Sequence, residues 1–241
     1  MKRLGFVFIV ALLRTLSVLP YPFVARLGMV VGTALYAVPS RRKHIVLVNL
    51  RLCFPEKTSS ELQTLAREHF RHVVRSYLER GIQWFGSAQS IRDIVQIESK
   101  IDLDDDAAPP TIFMGFHFVG IEVGCMLYST RLPVASLYTR MSSTALCALA
   151  KRQRGRFGAE MIERATSAKK IVGLLRSGKP VMLAADMDQG VDNSVFVPFL
   201  SRQVMEPAMS GIVRNAPPAT QAARRPPGPP VRRASGLLPA Y

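Results

Sequence analysis

Residues 111–122 read Thr-Ile-Phe-Met-Gly-Phe-His-Phe-Val-Gly-Ile-Glu, an apolar run followed by a histidine and, after four intervening residues, a carboxylate. Thr111–Met114 has the composition of a buried strand, and residues 119–127 favour a helix. His117 is therefore expected where a strand ends, which is the usual place for chemistry in an open α/β sheet. A lone histidine beside apolar residues is most often a satisfied core residue, and it is the strand end that favours a functional role here.

His117 and Glu122 together suggest acid–base chemistry. Histidine is the side chain whose usual pKa lets it take and return a proton near neutrality. A nearby carboxylate can hold the imidazole in one tautomer and stabilise the imidazolium that forms. The spacing of histidine and carboxylate is a weak pattern by itself, so the rest of the chain has to support it.

Strands and helices alternate from residue 94 onward. This alternation predicts an α/β fold, a layered mixed β-sheet flanked by helices. The predicted strands cover residues 94–98, 111–114, 133–138, 181–185 and 193–200, and Asp186 stands at the end of the fourth. Upstream, Thr58-Ser-Ser-Glu61 is a capping box, which predicts a helix that ends near Gly81.

The N-terminal forty residues are apolar, with Arg14 and Arg26 as the only charges from Leu4 to Ser40. A helix over residues 4–19 would be about 24 Å long, shorter than the ~30 Å hydrocarbon core. A cleaved signal peptide is the competing interpretation, but no small-x-small cleavage site follows. We expect an uncleaved anchor that spans the membrane once or lies in its interface, with the basic residues 41–43 facing anionic headgroups.

Charge and cysteine content restrict the function classes. The chain has 241 residues, 32 lysines and arginines, 17 acidic residues and a formal net charge of +15, which favours an anionic partner. Aromatic residues are not interleaved with the basic ones, so nucleic acid is a poor candidate. The three cysteines form no Cys-x-x-Cys pair, and neither a P-loop nor a Gly-x-Ser-x-Gly elbow occurs.

Proline and arginine dominate the sequence after residue 201. Segments such as Arg224-Arg-Pro-Pro-Gly-Pro-Pro230 carry no hydrophobic periodicity and too little apolar surface to offset the entropy of ordering. The predicted organisation is therefore a membrane anchor or interfacial segment at 1–40, an α/β domain at 41–201 and a disordered tail at 202–241.

Several ordered motifs resemble one enzyme family. They are Arg41-Arg-Lys with Asn49-Leu-Arg-Leu-Cys-Phe-Pro55, Phe116-His-Phe-Val-Gly-Ile-Glu122, Arg154-Gly-Arg-Phe-Gly158, Leu175-Arg-Ser-Gly178, Asp186-Met-Asp-Gln-Gly190 and Val195-Phe-Val-Pro-Phe199. Over roughly residues 1–201 the chain is similar to the late acyltransferases of lipid A biosynthesis, the lauroyl and myristoyl transferases of Gram-negative bacteria. Each motif is loose alone, and it is their order that is specific.

The resemblance implies an enzyme of the bacterial inner membrane, with its active site on the cytoplasmic side. It would move a fatty acyl chain from acyl carrier protein or coenzyme A to a hydroxyl of a lipid A precursor, at an anionic membrane surface and without nucleic acid. The family's catalytic motif falls on His117 and Glu122, and its substrate-binding residues fall on Arg154, with Arg156 close by, and on Asp186. No metal and no cofactor are implied.

The C-terminal part departs from the family pattern. Family members continue beyond the segment at 195–199 with further strands and helices, whereas this chain continues with Pro- and Arg-rich sequence. We therefore expect a truncated or frameshifted reading frame and an incomplete sheet. The alternative function is then an inactive, membrane-associated remnant of such an enzyme.

Overall fold

The computed structural model describes residues 3–96, 111–164, 168–184, 186, 194–199 and 202–207. The chain divides into two compact units, one formed by Met1–Ile94 with Asp186–Pro207 and the other built around Val95–Ala185. Within the first unit the N-terminal helices pack on the long helix that follows them. The domain limits at residues 40 and 201 stay predictions.

The first unit is mainly helical. Its helices are α1 (Arg3–Ser17), α2 (Tyr21–Ala37), α3 (Arg41–Cys53), α4 (Ser59–Phe85) and α5 (Ala88–Asp93). The predicted capping box is confirmed at the start of α4, where the Thr58 hydroxyl accepts from the Glu61 amide and the Glu61 carboxylate accepts from the Thr58 amide. The helix continues past its predicted end at Gly81, which lies so close to α1 that a side chain there would meet the backbone of Leu13.

Helix α2 packs against α4 over most of its length. Two buried glycines of α2, Gly28 and Gly32, face α4 so closely that an added Cβ would overlap the backbone of Arg75 or Arg71. On α4 the buried Arg75 and Glu79 form an ion pair. The tight contact explains why the N-terminal apolar segment belongs to a folded unit.

Large apolar side chains nevertheless remain exposed on α1 and α2. They include Leu4, Val7, Phe8, Phe23 and Val30. Among the described residues no single helix is both long and apolar enough to cross a membrane; only α2 and α3 taken together pass such a test, and they are bent by 92°. The predicted membrane anchor thus corresponds to two shorter helices, α1 and α2.

The second unit has the predicted α/β architecture. In chain order it consists of β1 (Ile112–Gly115), α6 (Ile121–Ser129), β2 (Ala135–Tyr138), α7 (Thr144–Arg154), β3 (Glu160–Glu163), α8 (Ala168–Arg176) and β4 (Val181–Ala184). The strands form one sheet in the order β1-β4-β2-β3, and every neighbouring pair is parallel. A helix in each connection between successive strands is what parallel pairing requires.

The sheet core lies between β2, β3, β4 and helix α8. It is formed by Ala135, Ile162, Ile171, Leu175, Val181 and Leu183, all nearly inaccessible to solvent. Ser143 caps α7 by accepting from the Leu146 amide. Gly178, shortly after the end of α8, has a φ of 83°, which suits glycine.

The remaining described strands are β5 (Ser194–Phe199) and β6 (Arg202–Pro207), which pair antiparallel as a separate two-stranded sheet. The chain therefore has a parallel sheet and an antiparallel pair, where one mixed sheet was expected. Strand β6 also occupies residues expected to belong to the tail. The rest of the predicted tail, from residue 208, lies outside the described residues. Of the strand predicted at 94–98, residues 94–96 are not in a strand, because Ile94 ends helix α5, and residues 97–98 lie outside the described residues.

Candidate active site

His117 lies two residues after β1, and its side chain is exposed. Strands β1 and β4 pair with Gly115 opposite Ala184, so that both strands end at the same edge of the sheet. This is the carboxyl edge, where ligands bind in open α/β sheets. The predicted position of His117 at a strand end is confirmed, and its role as a base stays a prediction.

Glu122 lies in the first turn of α6 and is buried. The partial positive charge of a helix N-terminus favours a carboxylate there. Arg154, the last residue of α7, binds both carboxylate oxygens, with Nε 2.8 Å from Oε1 and Nη2 2.5 Å from Oε2. This two-pronged contact fixes the Glu122 side chain more firmly than one hydrogen bond could.

The electrostatics of this pair favour two charged partners. Burial by itself would lower the pKa of Arg154, but the hydrogen bonds and the negative charge of Glu122 outweigh it and raise that pKa above its usual value. The guanidinium therefore stays protonated at neutral pH. A buried carboxylate next to it has a permanent counter-ion.

The contact between Glu122 and Arg154 was not foreseen from the sequence. The two residues are 32 positions apart, and Arg154 was expected to bind substrate. Arg156, the other expected arginine, lies with its guanidinium carbon 4.0 Å from the centre of the Phe157 ring, and burial lowers its pKa. Substrate binding by Arg154 and Arg156 stays a prediction.

Asp186 is the third expected substrate-binding residue. It comes two residues after the end of β4, as His117 comes two residues after β1, and its side chain is half-buried. Its role also stays a prediction.

An apolar cavity of about 390 Å³ lies beside the connection from β1 to α6. Its lining comes from β1, the following loop, one face of α6 and β4, and includes Phe113, Phe116, Phe118, Ile121, Gly124, Cys125, Tyr128 and Met182. The rings of Phe113 and Tyr128 are 4.7 Å apart between centroids. Such a volume is at the low end for small-molecule sites, about 300–1,000 Å³.

Sequence reasoning missed this cavity, although part of its signal was present. Ile121, Gly124, Cys125 and Tyr128 recur at helical spacing, which puts them on one face of α6. Glu122 lies on another face of the same helix. Helix α6 therefore turns a carboxylate towards α7 and a row of small and apolar residues towards the cavity.

The Cys125 thiol in the cavity wall is not prepared for nucleophilic chemistry. Burial, reinforced by the negative charge of Glu122, raises its pKa to about 11. A thiol with such a pKa is almost wholly protonated at neutral pH. In the described part of the chain, no three His, Cys, Asp or Glu side chains come together as a metal site would require.

Comparison with known proteins identifies the family. Residues 1–216 match the sequence model of the bacterial lipid A biosynthesis acyltransferases. A lipid A biosynthesis acyltransferase of Haemophilus influenzae is 29% identical over 194 residues, which are 80% of this chain and 62% of that protein. The lipid A biosynthesis palmitoleoyltransferase and lauroyltransferase of Escherichia coli are each 29% identical over 185 residues, 76% of this chain and 60% of theirs. The chain thus spans about 60% of the length of these relatives.

Proposed function

We propose that this chain, which belongs to the bacterial lipid A biosynthesis acyltransferase family, is an O-acyltransferase that moves a fatty acyl chain from a thioester donor to a hydroxyl of a lipid A precursor. The donor is acyl carrier protein or coenzyme A carrying the acyl group. The observation that carries the proposal is the exposed His117 at the carboxyl edge of a parallel sheet, next to an apolar cavity. An apolar cavity beside a base suits a substrate with a long hydrocarbon chain.

In the proposed reaction His117 acts as the general base. It takes the proton of the acceptor hydroxyl while the hydroxyl oxygen attacks the thioester carbonyl carbon. The carbon–oxygen bond forms, a tetrahedral oxyanion results, and its collapse breaks the carbon–sulfur bond. The imidazolium then returns the proton to the departing thiolate, so that the histidine is regenerated.

Glu122 and Arg154 support this step from the helix that follows. Glu122 stabilises the imidazolium, and Arg154 holds Glu122 in place through its Nε and Nη2 atoms. The third nitrogen of the guanidinium fork, Nη1, lies outside this pair and is assigned to the substrate. Arg156 and Asp186 are the further substrate-binding residues of the proposal.

The proposed place of action is the cytoplasmic side of the bacterial inner membrane. Support comes from the exposed apolar side chains of α1 and α2, such as Phe8 and Phe23, and from the basic residues Arg41 and Arg42 at the start of α3. Apolar and basic surfaces together bind anionic lipid more strongly than either does alone. Retention of the purified protein by anionic but not by neutral vesicles is the expected result, and equal retention would contradict it.

The direct test is transfer of labelled lauroyl from acyl carrier protein to a lipid A precursor. Loss of a general base typically costs 10²–10⁴-fold in rate, so His117→Ala should lose activity on that scale. His44→Ala is the matched control, because His44 is also exposed but lies on α3. Full activity of His117→Ala would refute the proposed base, and an inactive unaltered chain would favour the remnant.

A further inference from the structure

The cavity lies close to His117 in the chain, because Phe116 and Phe118, the two neighbours of the histidine, both line it. In the proposed function the acyl group reacts at His117, and the hydrocarbon chain of the donor would lie among Phe113, Ile121 and Tyr128. This argument rests on the function proposed above.

The face of α6 that lines the cavity has a gap in its middle. Ile121, Cys125 and Tyr128 contribute side chains, whereas Gly124 contributes none. A Cβ built on Gly124 would meet no atom of the described residues within 4 Å, so the space at this position is open. Glycine is among the poorest helix formers, and helix formation by itself does not explain its presence there.

The volume of the cavity relates this gap to the length of the acyl chain. A water molecule occupies about 30 Å³ of the liquid, and a methylene group is similar in size, so 390 Å³ holds about a dozen such groups. A leucine at position 124 would take the room of about four of them. We propose that Gly124 sets the length of acyl chain that the protein accepts, by leaving the wall of the cavity open at the middle of α6.

The experiment compares thioester donors of 8 to 16 carbons. Gly124→Leu narrows the cavity, and Gly173→Leu is the matched control, since Gly173 is also a helical glycine with open space around it but lies exposed in α8. Each methylene that loses its buried site should lower kcat/KM about fourfold. For Gly124→Leu the ratio of kcat/KM for 14-carbon over 10-carbon donors is expected to fall about 10²-fold, with no change for Gly173→Leu.

A binding measurement separates this inference from the proposed function. Free fatty acids of the same lengths are titrated against each protein, because their binding needs no reaction. A shift to shorter acids in Gly124→Leu without turnover by any variant would leave the inference standing and refute the proposed function. Turnover with the same length preference in the unaltered chain and in Gly124→Leu would refute the inference alone.

Folding of the variants is checked separately. Circular dichroism of Gly124→Leu reports whether α6 survives the larger side chain. If it does not, Gly124→Ala serves in its place, because alanine favours the helix and fills about one methylene of the cavity. Its length preference should then shift by about one carbon, and an unchanged preference would overturn the proposal.

Discussion

Replacement of Arg154 by alanine should loosen helix α6. The variant leaves the Glu122 carboxylate buried without the counter-ion that now binds both of its oxygens. Removing one partner of a fully buried pair costs roughly 3–5 kcal/mol, and an exposed pair contributes only about 0.2–1 kcal/mol. The side chains of Arg154 and Glu122 are 23% and 11% exposed, so we expect an intermediate cost of about 2 kcal/mol.

Hydrogen exchange followed by mass spectrometry measures this cost where it arises. A loss of about 2 kcal/mol corresponds to roughly 30-fold faster exchange, provided that α6 exchanges through the opening that Arg154 opposes. Peptides that cover α6 and α7 should show this faster exchange. Adding Glu122→Gln to Arg154→Ala removes the unpaired charge and should restore part of the protection.

The control for this prediction is Arg140→Ala. Arg140 binds Glu163 at 2.7 Å, but it is 76% exposed, so its loss should leave the exchange of α6 unchanged. Equal exchange of α6 in Arg154→Ala and in the unaltered protein would refute the reasoning. Additive effects of Arg154→Ala and Glu122→Gln on the exchange of α6 would also refute it, because residues in contact must be coupled.

Three further predictions concern other parts of the chain. Gly32→Ala should destabilise the first unit by about 1–3 kcal/mol, because its Cβ would come within 2.5 Å of the Arg71 Cα; thermal unfolding measures the loss. His72 has its pKa lowered by burial first and by nearby Arg75 second, so the folded state binds fewer protons than the unfolded state. Stability should therefore be highest above about pH 6.5 and fall as the pH drops below it, less steeply in His72→Gln. The Cys125 thiol, with a pKa of about 11, should react with a thiol reagent about tenfold faster for each pH unit from 7 to 10.

Each of these has a result that would contradict it. Unfolding of Gly32→Ala at the temperature of the unaltered protein would mean that α2 and α4 are less tightly packed than the structure has them. A pH profile of stability that is the same in His72→Gln would exclude a contribution from this histidine. In a variant whose other two cysteines are serine, a reaction rate that levels off near pH 8.5 would mean that the thiol is not buried.

Local chemistry in the sequence was sufficient for much of the fold. The capping box at Thr58 and the apolar run after Thr111 each depend on neighbours within a few residues, and both predictions are confirmed. The wrong predictions concern positions where residues far apart in the sequence are in contact. Helix α4 continues through Gly81, where α1 packs closely against it, a contact that no local pattern records.

The candidate site divides in the same way. The sequence by itself determined that a histidine follows a strand end and that a carboxylate comes five residues later, because strand and helix periods depend on local composition. Only the tertiary structure decided that Arg154 reaches back to Glu122 and that Gly124 opens onto an apolar cavity. Both depend on how helices pack around the sheet, which brings together residues that are far apart in the chain.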